Sequence, residues 1–328
     1  MRIAINGMGR IGRLLFRRLI DDDTLEIVAV NDLMRTENLI YLLRYDSIYG
    51  PSGGRFEEND GAISCNDKTI RLLQEQDPAK LPWKELGVDI VLECTGNFAT
   101  SAGCALHLEA GAKKVLLSTT GTPEVPLLVY GFNQNGTAAH INTLSPGGCM
   151  TNCSTHVLYI LQSIGIRSAH IDILHSYTSR QELVDAPHNQ FRRGRAAAES
   201  IIPVDIDLHL SLGRLIPSLK DKVSTSSTRV PVANGAMANF YLQMHDDELS
   251  SKTINKLFKQ AASGTYKGII DYTEDPIVSL DIKGNPHSCI IDGTQTTVIA
   301  NHVRLVAWFD NEYGFTSRMI DWLRYWND

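Results

Sequence analysis

Two reactive side chains, Cys149 and His175, set the first chemical hypothesis for this sequence. Cys149 follows the turn-forming residues Ser145-Pro146-Gly147-Gly148 and begins a segment predicted to be helical over residues 149–163. A thiol at a helix N-terminus is expected to have a lowered pKa and to populate the thiolate. His175 ends a strand-like run, and an imidazole beside a thiol would act as its base. On these residues alone, an inert buried cysteine and an unrelated core histidine remain the alternative.

The N-terminal segment carries a second chemical signature, the glycine pattern Gly7-x-Gly9-x-x-Gly12. A strand is predicted before it and a helix after it, which is the context a dinucleotide-binding turn requires. The helix N-terminus would offer free N–H groups to a pyrophosphate. Asp32, twenty residues after Gly12, would accept hydrogen bonds from a ribose 2′-hydroxyl, so the pattern favours NAD over NADP. A glycine-rich turn without a ligand is the alternative.

Composition narrows the class of protein. The chain has a net charge of −6 and a pI of about 5.9, which argues against a nucleic-acid or membrane-surface binder. No apolar run approaches the roughly 18 residues of a membrane span, and the N-terminus lacks the pattern of a secretory signal. The six cysteines form no C-x-x-C pair, so reduced thiols, a cytoplasmic location and no metal site are expected. Cys153, one helical turn after Cys149, is interpreted as a small buried residue.

The first 120 residues alternate short apolar runs with helical patterns, which predicts parallel strands joined by crossover helices. Strands are predicted at residues 3–6, 26–31, 88–94 and 114–118, and helices at 11–20 and 101–111. A Rossmann-type dinucleotide-binding domain is therefore expected over residues 1–148.

After residue 150 the pattern changes to that of an α+β domain with a mainly antiparallel sheet, expected over residues 149–311. Strand-like runs occupy residues 168–177, 223–230, 239–245, 278–281, 289–292 and 302–309, with a helix at 251–262. The polar segment 179–200 is predicted to be a long functional or interface loop. A C-terminal helix, about 312–328, is expected to pack back on the first domain.

Taken together, the sequence resembles the glyceraldehyde-3-phosphate dehydrogenase family over essentially its whole length. The resemblance rests on seven stretches: residues 4–13, Asn31-Asp32, Cys94-Thr95-Gly96, Cys149-x-Thr151-Asn152-Cys153, His175-x-x-Thr178, Arg229-Val230-Pro231 and residues 308–314. Other stretches look more like the erythrose-4-phosphate dehydrogenase branch, namely residues 192–197, 200–205, 286–288 and 292–296, with Phe315.

The resemblance implies specific roles. Cys149 would attack the substrate aldehyde, His175 would take the proton, and hydride transfer to NAD would leave a thioester on Cys149. Thr178 and Arg229 match positions that hold the terminal phosphate of the substrate, and Arg193 is a further substrate candidate. The cofactor positions matched are Gly7, Gly9, Arg10, Ile11, Gly12, Asp32, Ser118 and Asn311. A homotetramer, with segment 179–200 near a subunit interface, is also implied.

The sequence departs from the family pattern at the positions that receive inorganic phosphate. Hydroxyl residues usual in the family are replaced by Gly148, Met150 and the pair Ile206-Asp207. Each lost hydroxyl removes a hydrogen bond worth about 1.5–3 kcal/mol to a charged group, and Asp207 would add repulsion. We therefore expect water rather than phosphate to release the acyl group. The alternatives are that Gly147 and Gly148 simply alter the turn or enlarge the pocket for another aldehyde.

Two classes of function are compatible with these residues. The preferred one is an NAD-dependent dehydrogenase of a phosphorylated aldose, with erythrose 4-phosphate placed before glyceraldehyde 3-phosphate. The other is a weakly catalytic family paralogue that acts as a thiol redox sensor or binding protein. A further departure, Gln76 near the expected adenine site, would weaken NAD binding.

Overall fold

A computed structural model describes residues 1–134 and 136–327. The chain divides into two compact units. Unit one comprises Met1–Gly148 together with the chain from Thr316 onward, and unit two comprises Cys149–Phe315. The boundary between the two units in the sequence therefore falls between Gly148 and Cys149.

Unit one is built on an eight-stranded sheet with the order β3-β4-β5-β2-β1-β6-β7-β8. Strands β5, β2, β1, β6, β7 and β8 run parallel, and β3–β4–β5 form an antiparallel meander at one edge. The elements are β1 (Arg2–Asn6), α1 (Arg10–Leu19), β2 (Glu26–Asn31), α2 (Thr36–Arg44), β3 (Phe56–Asn59), β4 (Ala62–Cys65), β5 (Lys68–Leu73), β6 (Ile90–Glu93), α3 (Ser101–Glu109), β7 (Lys114–Leu117) and β8 (Thr143–Leu144).

The central strand β1 lies at the point where the strand order reverses. Its residues Ile3–Asn6 are completely or almost completely buried, as expected for a parallel strand covered on both faces. From β1 the chain moves to β2 on one side, whereas the later strand β6 pairs on the other. In open α/β sheets, ligands bind beyond the carboxyl ends of the strands at this reversal. We therefore expect the segments that follow Asn6 and Glu93 to line a ligand-binding site.

The final helix, α7 (Tyr313–Asn327), joins unit one through its contacts. The Arg18 guanidinium donates to the hydroxyls of Thr316 and Ser317 at 2.7 and 3.0 Å. The Trp326 indole N–H donates to the Ala138 carbonyl at 2.9 Å. The predicted helix of residues 312–328 corresponds to α7, and its last residue, 328, lies outside the described residues.

Unit two contains a mixed sheet with the order β10-β11-β9-β12-β16-β14-β13, and β15 pairs with β16. All of its strand pairs are antiparallel except β11 with β9 and β13 with β14. The elements are α4 (Cys149–Gln162), β9 (Ile166–Ser176), β10 (Ile202–Val204), α5 (Leu208–Leu215), β11 (Val223–Val230), β12 (Ala236–Met244), α6 (Ser251–Ser263), β13 (Ile270–Thr273), β14 (Cys289–Asp292), β15 (Thr297–Ile299) and β16 (His302–Phe309).

The register of this sheet places one row of side chains across its buried face. His175 lies beside Arg229 of β11 and Ala236 of β12, and Ala236 lies beside Phe309 of β16. All four are at most 7% exposed. Because directly paired residues share a face, Arg229, His175, Ala236 and Phe309 form one row, which we call the His175 row.

The predicted strand at residues 278–281 is wrong. The segment forms a turn, in which the Val278 N–H donates to the Asp281 carboxylate at 2.8 Å. Val278 and Leu280 are 58% and 73% exposed, so the alternating apolar residues do not face the core. The strand that pairs with β14 is β13, which precedes this turn in the chain.

Candidate active site

The glycine pattern forms a tight turn between β1 and α1. Gly7 has φ +95°, and a Cβ there would lie 2.6 Å from the Thr95 nitrogen. A Cβ on Gly12 would lie 2.0 Å from the Gly7 carbonyl oxygen. A Cβ on Gly9 would meet no atom within 4 Å. Gly7 and Gly12 are therefore required for the backbone to close, whereas Gly9 leaves open space at the start of α1.

A groove of about 660 Å³ lies at this turn. Its lining residues come from the carboxyl ends of β1, β2 and β6 and from the segment after β5, and include Asn6, Gly7, Gly9, Asp32, Gln76 and Thr95. The first turn of α1, which begins with Arg10 and Ile11, directs its backbone N–H groups as a pyrophosphate site requires. The open space over Gly9 and the carboxylate of Asp32 fit an NAD molecule.

Asp32 has a structural task as well as an expected ligand. Its carboxylate accepts hydrogen bonds from the backbone N–H groups of Met8 and Met34 at 2.6 and 2.9 Å, which ties the glycine turn to the end of β2. Arg10 forms an ion pair with the buried carboxylate of Asp46. Despite the cost of burial, the hydrogen bond from Arg10 keeps the pKa of Asp46 below its ordinary value.

A buried polar network supports the floor of the groove. The Glu93 carboxylate accepts hydrogen bonds from Asn6 Nδ2 at 2.6 Å and from the Thr95 N–H at 2.8 Å. His107 Nε2 lies 3.1 Å from the same carboxylate. The Trp83 indole N–H donates to His107 Nδ1 at 3.0 Å, so the proton of the neutral ring lies on Nε2 and points at Glu93. Glu93 thereby connects the ends of β1 and β6.

We expect Gly9→Ala to weaken NAD binding and Gly12→Ala to destabilise the fold. Gly9→Ala should fold normally, because its methyl group has room, but should weaken NAD binding by at least about tenfold where the pyrophosphate approaches. Gly12→Ala should lower the free energy of unfolding by about 1–3 kcal/mol or more through overpacking. Thermal unfolding and titration calorimetry with NAD measure the two effects, and unchanged NAD affinity in Gly9→Ala would contradict the assignment.

The thiol of Cys149 and the ring of His175 lie side by side in unit two. Cys149 is the first residue of α4, and its Sγ lies 3.7 Å from His175 Nε2. His175 Nδ1 donates to the Ser176 carbonyl at 2.7 Å, which leaves the Nε2 lone pair directed at the thiol in the neutral ring. As whole residues, Cys149 is partly exposed and His175 is buried. This arrangement suits a nucleophile with its general base.

The protonation of this pair differs from the sequence expectation. Desolvation raises the pKa of Cys149 to about 11, although Arg229 and the N–H groups of Met150 and Cys149 act in the opposite direction. Burial, followed by the charge of Arg229, lowers the pKa of His175 to about 3. At neutral pH the unliganded protein therefore holds a neutral thiol beside a neutral imidazole. The N–H groups at the helix N-terminus do lower the pKa of Cys149, as predicted, but desolvation raises it by more.

Alkylation of Cys149 should follow this protonation state. In cofactor-free protein the rate with iodoacetamide should rise roughly tenfold per pH unit between about pH 7 and 10, because only the thiolate reacts. Arg229→Gln removes a charge that lowers the pKa of Cys149, so alkylation at a fixed pH should become slower. Mass spectrometry of the Cys149 peptide gives the rates, and a rate independent of pH near neutrality would contradict the neutral pair.

Three arginines form a positive cluster next to His175. Arg229 donates to the Ser176 carbonyl at 3.3 Å, is 7% exposed and has a buried Nε with no hydrogen-bond partner. Burial lowers the pKa of Arg229 to about 10, and repulsion from Arg193 and Arg180 acts in the same direction. Thr178 Oγ1, which donates to Gln181 at 3.0 Å, follows the strand that carries His175. An anion with several oxygens suits such a set of donors.

The remaining predicted cofactor residues occupy both units. Asn311 follows β16, and its Oδ1 accepts hydrogen bonds from the Gly235 N–H at 2.9 Å and from Ser176 Oγ at 3.2 Å. Asn311 is thus fixed to the turn before β12 and to the residue after His175. Ser118 follows β7 in unit one, and its N–H donates to the Glu93 carbonyl at 2.9 Å. The hydrogen bonds of Asn311 orient its amide group and leave the amide nitrogen as a donor.

The residues at the expected phosphate-acceptor positions carry no hydroxyl group. Gly148 has room for a side chain, since a Cβ there would lie 3.9 Å from Thr120 Oγ1. Met150 is the second residue of α4. Ile206 is partly buried, and Asp207 is exposed and precedes α5 without a side-chain hydrogen bond to its first turn. The carboxylate of Asp207 places negative charge next to Ile206, the position at which the resemblance leads us to expect a hydroxyl residue.

Three structurally important residues were not among the predicted site residues. Arg180 belongs to the arginine cluster, and its position two residues after Thr178 was the available signal. Glu93 is a lone charge at the end of an apolar strand, which marks a buried polar role. Asp46 binds Arg10 from a segment without regular periodicity, and nothing in the sequence pattern pointed to it.

Comparisons with known proteins show sequence similarity to one family along most of the chain. The family model described as glyceraldehyde 3-phosphate dehydrogenase, NAD binding domain, matches residues 1–101, and the model of the C-terminal domain matches residues 148–311. Glyceraldehyde-3-phosphate dehydrogenase of Borreliella burgdorferi is 39% identical over 98% of this chain and 98% of its own. The Priestia megaterium enzyme of the same name is 39% identical over 99% and 98%. Glyceraldehyde-3-phosphate dehydrogenase 2 of Bacillus subtilis is 38% identical over 99% and 96%.

The chain belongs to the glyceraldehyde-3-phosphate dehydrogenase family. It combines a Rossmann-type NAD-binding domain with a catalytic C-terminal domain, and it is an NAD-dependent dehydrogenase of this family. Among the described residues, 1–134 and 136–327, no helix has the length and apolar character that crossing a membrane requires.

Proposed function

We propose that the protein oxidises a phosphorylated aldose at its aldehyde carbon through a thioester on Cys149. The observation that carries the proposal is the 3.7 Å distance between the Cys149 thiol and His175 Nε2. The other ring nitrogen, Nδ1, donates a hydrogen bond to the Ser176 carbonyl. Residues 1–148 are proposed to bind NAD, and residues 149–311 to carry the chemistry.

In the first step His175 Nε2 takes the proton of the Cys149 thiol as the sulfur attacks the aldehyde carbon. The protonated imidazole then stabilises the negative oxygen of the hemithioacetal. His175 donates this proton to the oxygen, and in the second step it takes the proton back from the hydroxyl as the carbon loses a hydride; NAD⁺ bound in the groove of unit one would serve as the hydride acceptor. The product of this step is an acyl thioester on Cys149. A neutral imidazole is the form that can take the first proton.

The terminal phosphate of the substrate is proposed to bind the arginine cluster. Arg229 offers an Nε that has no hydrogen-bond partner, and Thr178 offers a hydroxyl at the start of the following loop. Burial, followed by repulsion from Arg180, lowers the pKa of Arg193, so a dianionic phosphate would relieve unfavourable interactions already present. Gln181, a neighbour of Thr178, carries a buried and unpartnered Nε2 that would serve as a further donor.

We propose that water rather than inorganic phosphate releases the acyl group. Support comes from the missing hydroxyls at Gly148 and Met150 and from the exposed carboxylate of Asp207. Once His175 has released its proton to solvent, water would attack the thioester carbon with His175 as its base, and His175 would then pass that proton to the departing sulfur of Cys149. The overall change converts aldehyde, NAD⁺ and water into acid, NADH and a proton.

The requirement for phosphate tests this proposal. NADH formation by the wild-type protein should proceed equally with and without inorganic phosphate. The double variant Gly148→Ser with Met150→Thr restores two hydroxyls, and position 148 has room for the serine. In this variant phosphate should accelerate NADH formation, since each restored hydrogen bond to a charged group contributes about 1.5–3 kcal/mol. A strict phosphate requirement in the wild-type protein would overturn the proposal.

Erythrose 4-phosphate is proposed as the substrate ahead of glyceraldehyde 3-phosphate. The stretches that resemble the erythrose-4-phosphate dehydrogenase branch support this order, and the curated relatives above are named for glyceraldehyde 3-phosphate. A panel of the two aldehydes, compared by kcat/KM, decides between them. Higher kcat/KM for glyceraldehyde 3-phosphate would reverse the order.

The second candidate function is a thiol redox sensor or binding protein with little turnover. The altered turn Ser145-Pro146-Gly147-Gly148 before Cys149 favours it, whereas the paired Cys149 and His175 favour an enzyme. No turnover on any phosphorylated aldose, together with a reactive Cys149 thiol, would select the sensor. The cytoplasmic location and the homotetramer stay predictions, and analytical ultracentrifugation tests the latter.

A further inference from the structure

Ser176 is the last residue of β9, and no step of the proposed mechanism uses its side chain. The residue is 0% exposed. Its carbonyl accepts hydrogen bonds from His175 Nδ1 at 2.7 Å and from Arg229 Nη1 at 3.3 Å. Its hydroxyl donates to Asn311 Oδ1 at 3.2 Å and lies 3.4 Å from His175 Nδ1. One buried serine therefore contacts the proposed base, a proposed substrate residue and a proposed cofactor residue.

A closed ring of three hydrogen bonds fixes the Ser176 hydroxyl against Asn311. The Ser176 N–H donates to the Gly235 carbonyl at 3.0 Å, and the Gly235 N–H donates to Asn311 Oδ1 at 2.9 Å. The Ser176 hydroxyl donates to the same oxygen and completes the ring. Gly235 has φ +91°, a backbone conformation that glycine adopts without steric cost. The ring joins the end of β9, the turn before β12 and the residue that follows Asp310.

The direction of these hydrogen bonds follows from the position of each proton. The Gly235 N–H faces Asn311 Oδ1, so this end of the amide is the oxygen, which can only accept. The single hydroxyl proton of Ser176 therefore lies on the side of Asn311. The lone pairs of the same hydroxyl face the Nδ1–H of His175, whose main acceptor is the Ser176 carbonyl. A chain of donors thus runs from the His175 ring through the Ser176 hydroxyl to Asn311.

This chain of donors responds to charge on the base. In the proposed mechanism His175 gains a second proton as the hydride leaves, and the N–H of a charged ring is a stronger donor than that of a neutral one. Hydrogen bonds in a chain polarise one another, so the charged ring strengthens the hydroxyl as a donor to Asn311. The amide nitrogen of Asn311 in turn becomes a better donor, and such a donor suits the carboxamide oxygen of a nicotinamide.

We propose that the Ser176 hydroxyl is a positioning group that fixes the Asn311 amide for the cofactor and links it to the proton on His175. The inference rests on the proposed function, in which Asn311 is a cofactor residue and His175 is the base. The backbone carbonyl of Ser176 holds His175 and Arg229 whatever side chain is present. Substitution of Ser176 therefore tests the hydroxyl alone.

Calorimetric titration with NAD tests the link to Asn311. In Ser176→Ala we expect the NAD dissociation constant to rise about two- to tenfold, the contribution of one neutral hydrogen bond. In the Asn311→Ala background the same substitution should change NAD affinity by less than about twofold, because the hydroxyl then has no amide to hold. Equal effects of Ser176→Ala in the two backgrounds would show that the hydroxyl does not act through Asn311 and would overturn the proposal.

Steady-state kinetics at saturating NAD test the link to His175. In Ser176→Ala kcat should fall about two- to tenfold, whereas KM for the aldehyde should stay within about twofold because Arg229 and Thr178 are unchanged. In the His175→Asn background no ring becomes charged, so Ser176→Ala should lower kcat by a smaller factor. The same factor in both backgrounds, or a loss confined to the aldehyde KM, would contradict the link.

Ser227→Ala is the matched control. Ser227 of β11 is 2% exposed, and its hydroxyl has no hydrogen-bond partner. Its removal should leave NAD affinity, kcat and aldehyde KM within about twofold of the wild type. Equal losses in Ser227→Ala and Ser176→Ala would indicate a general effect of buried hydroxyls on packing and would contradict the proposal.

A second variant and the binding data keep the outcomes separate. Ser176→Cys retains a side chain of similar shape but donates weakly, and it replaces Ser176→Ala if thermal unfolding shows the alanine variant to be unstable. NAD binding does not require turnover. A non-additive cycle with Asn311→Ala in a protein inactive on aldehydes would refute the dehydrogenase proposal alone, and an additive cycle in an active protein would refute the role of Ser176 alone.

Discussion

Replacing Cys149 with alanine is expected to reduce NADH formation from any aldehyde by at least about 10⁴-fold, the scale seen when a catalytic nucleophile is removed. The reason is that Cys149 is the thiol next to the proposed base His175, whereas Cys153 and Cys289 of the same unit are fully buried. The groove for NAD belongs to unit one, so the NAD dissociation constant should change little. Steady-state NADH absorbance and calorimetry measure the two quantities.

A matched control for this substitution is Cys104→Ala, which removes a buried thiol from α3 of unit one. It should keep kcat within a few-fold of the wild type. Turnover by Cys149→Ala at a substantial fraction of the wild-type rate would show that the oxidation does not pass through this thiol.

His175→Asn is expected to lower kcat by about 10²–10⁴-fold, the usual contribution of a general acid–base residue. Asparagine is smaller than histidine and cannot take a proton from Cys149 at neutral pH. The loss should be greatest near neutrality and smaller at high pH, because hydroxide raises the thiolate fraction of a thiol whose pKa is about 11. A pH profile of kcat/KM between about pH 6 and 10 measures this partial recovery.

His170→Asn is the appropriate comparison for that variant. His170 lies on the same strand, β9, five residues earlier and on the opposite face of the sheet, where it contacts Ser224. The same substitution there should leave kcat and its pH profile unchanged. If His175→Asn retained wild-type kcat, or lost activity equally at every pH, His175 would not be the base.

Much of the fold was predictable because its core strands have simple patterns. The run Ile3–Asn6 is short, apolar and followed by glycine, so both β1 and the turn after it were found. Strands β11 and β14 were predicted with their full bounds, since turn residues flank both. By contrast, the edge meander β3–β5 has few buried residues, and its exposed polar side chains produce no clear period. The turn at 278–281 imitated a strand because its apolar residues alternate although they are exposed.

The candidate site was predictable in its members but not in its electrostatics. Residue types and the family resemblance identified Cys149 and His175, which are 26 positions apart. Their approach depends on the register of β9 against β11 and β12, which no local pattern encodes. The net pKa of Cys149 depends on the balance between desolvation and the helix N-terminus, and only the three-dimensional burial decides which is larger.

The central claim is that oxidation proceeds through an acyl group on Cys149, and a rapid-quench experiment on the wild-type protein tests it most directly. Protein, NAD and erythrose 4-phosphate are mixed without inorganic phosphate and quenched in acid within the first turnover. We expect one NADH per covalent acyl adduct, with the adduct located on the Cys149 peptide by mass spectrometry. NADH formed with no adduct on Cys149 at any time in the first turnover, or with an adduct on another residue, would contradict the account.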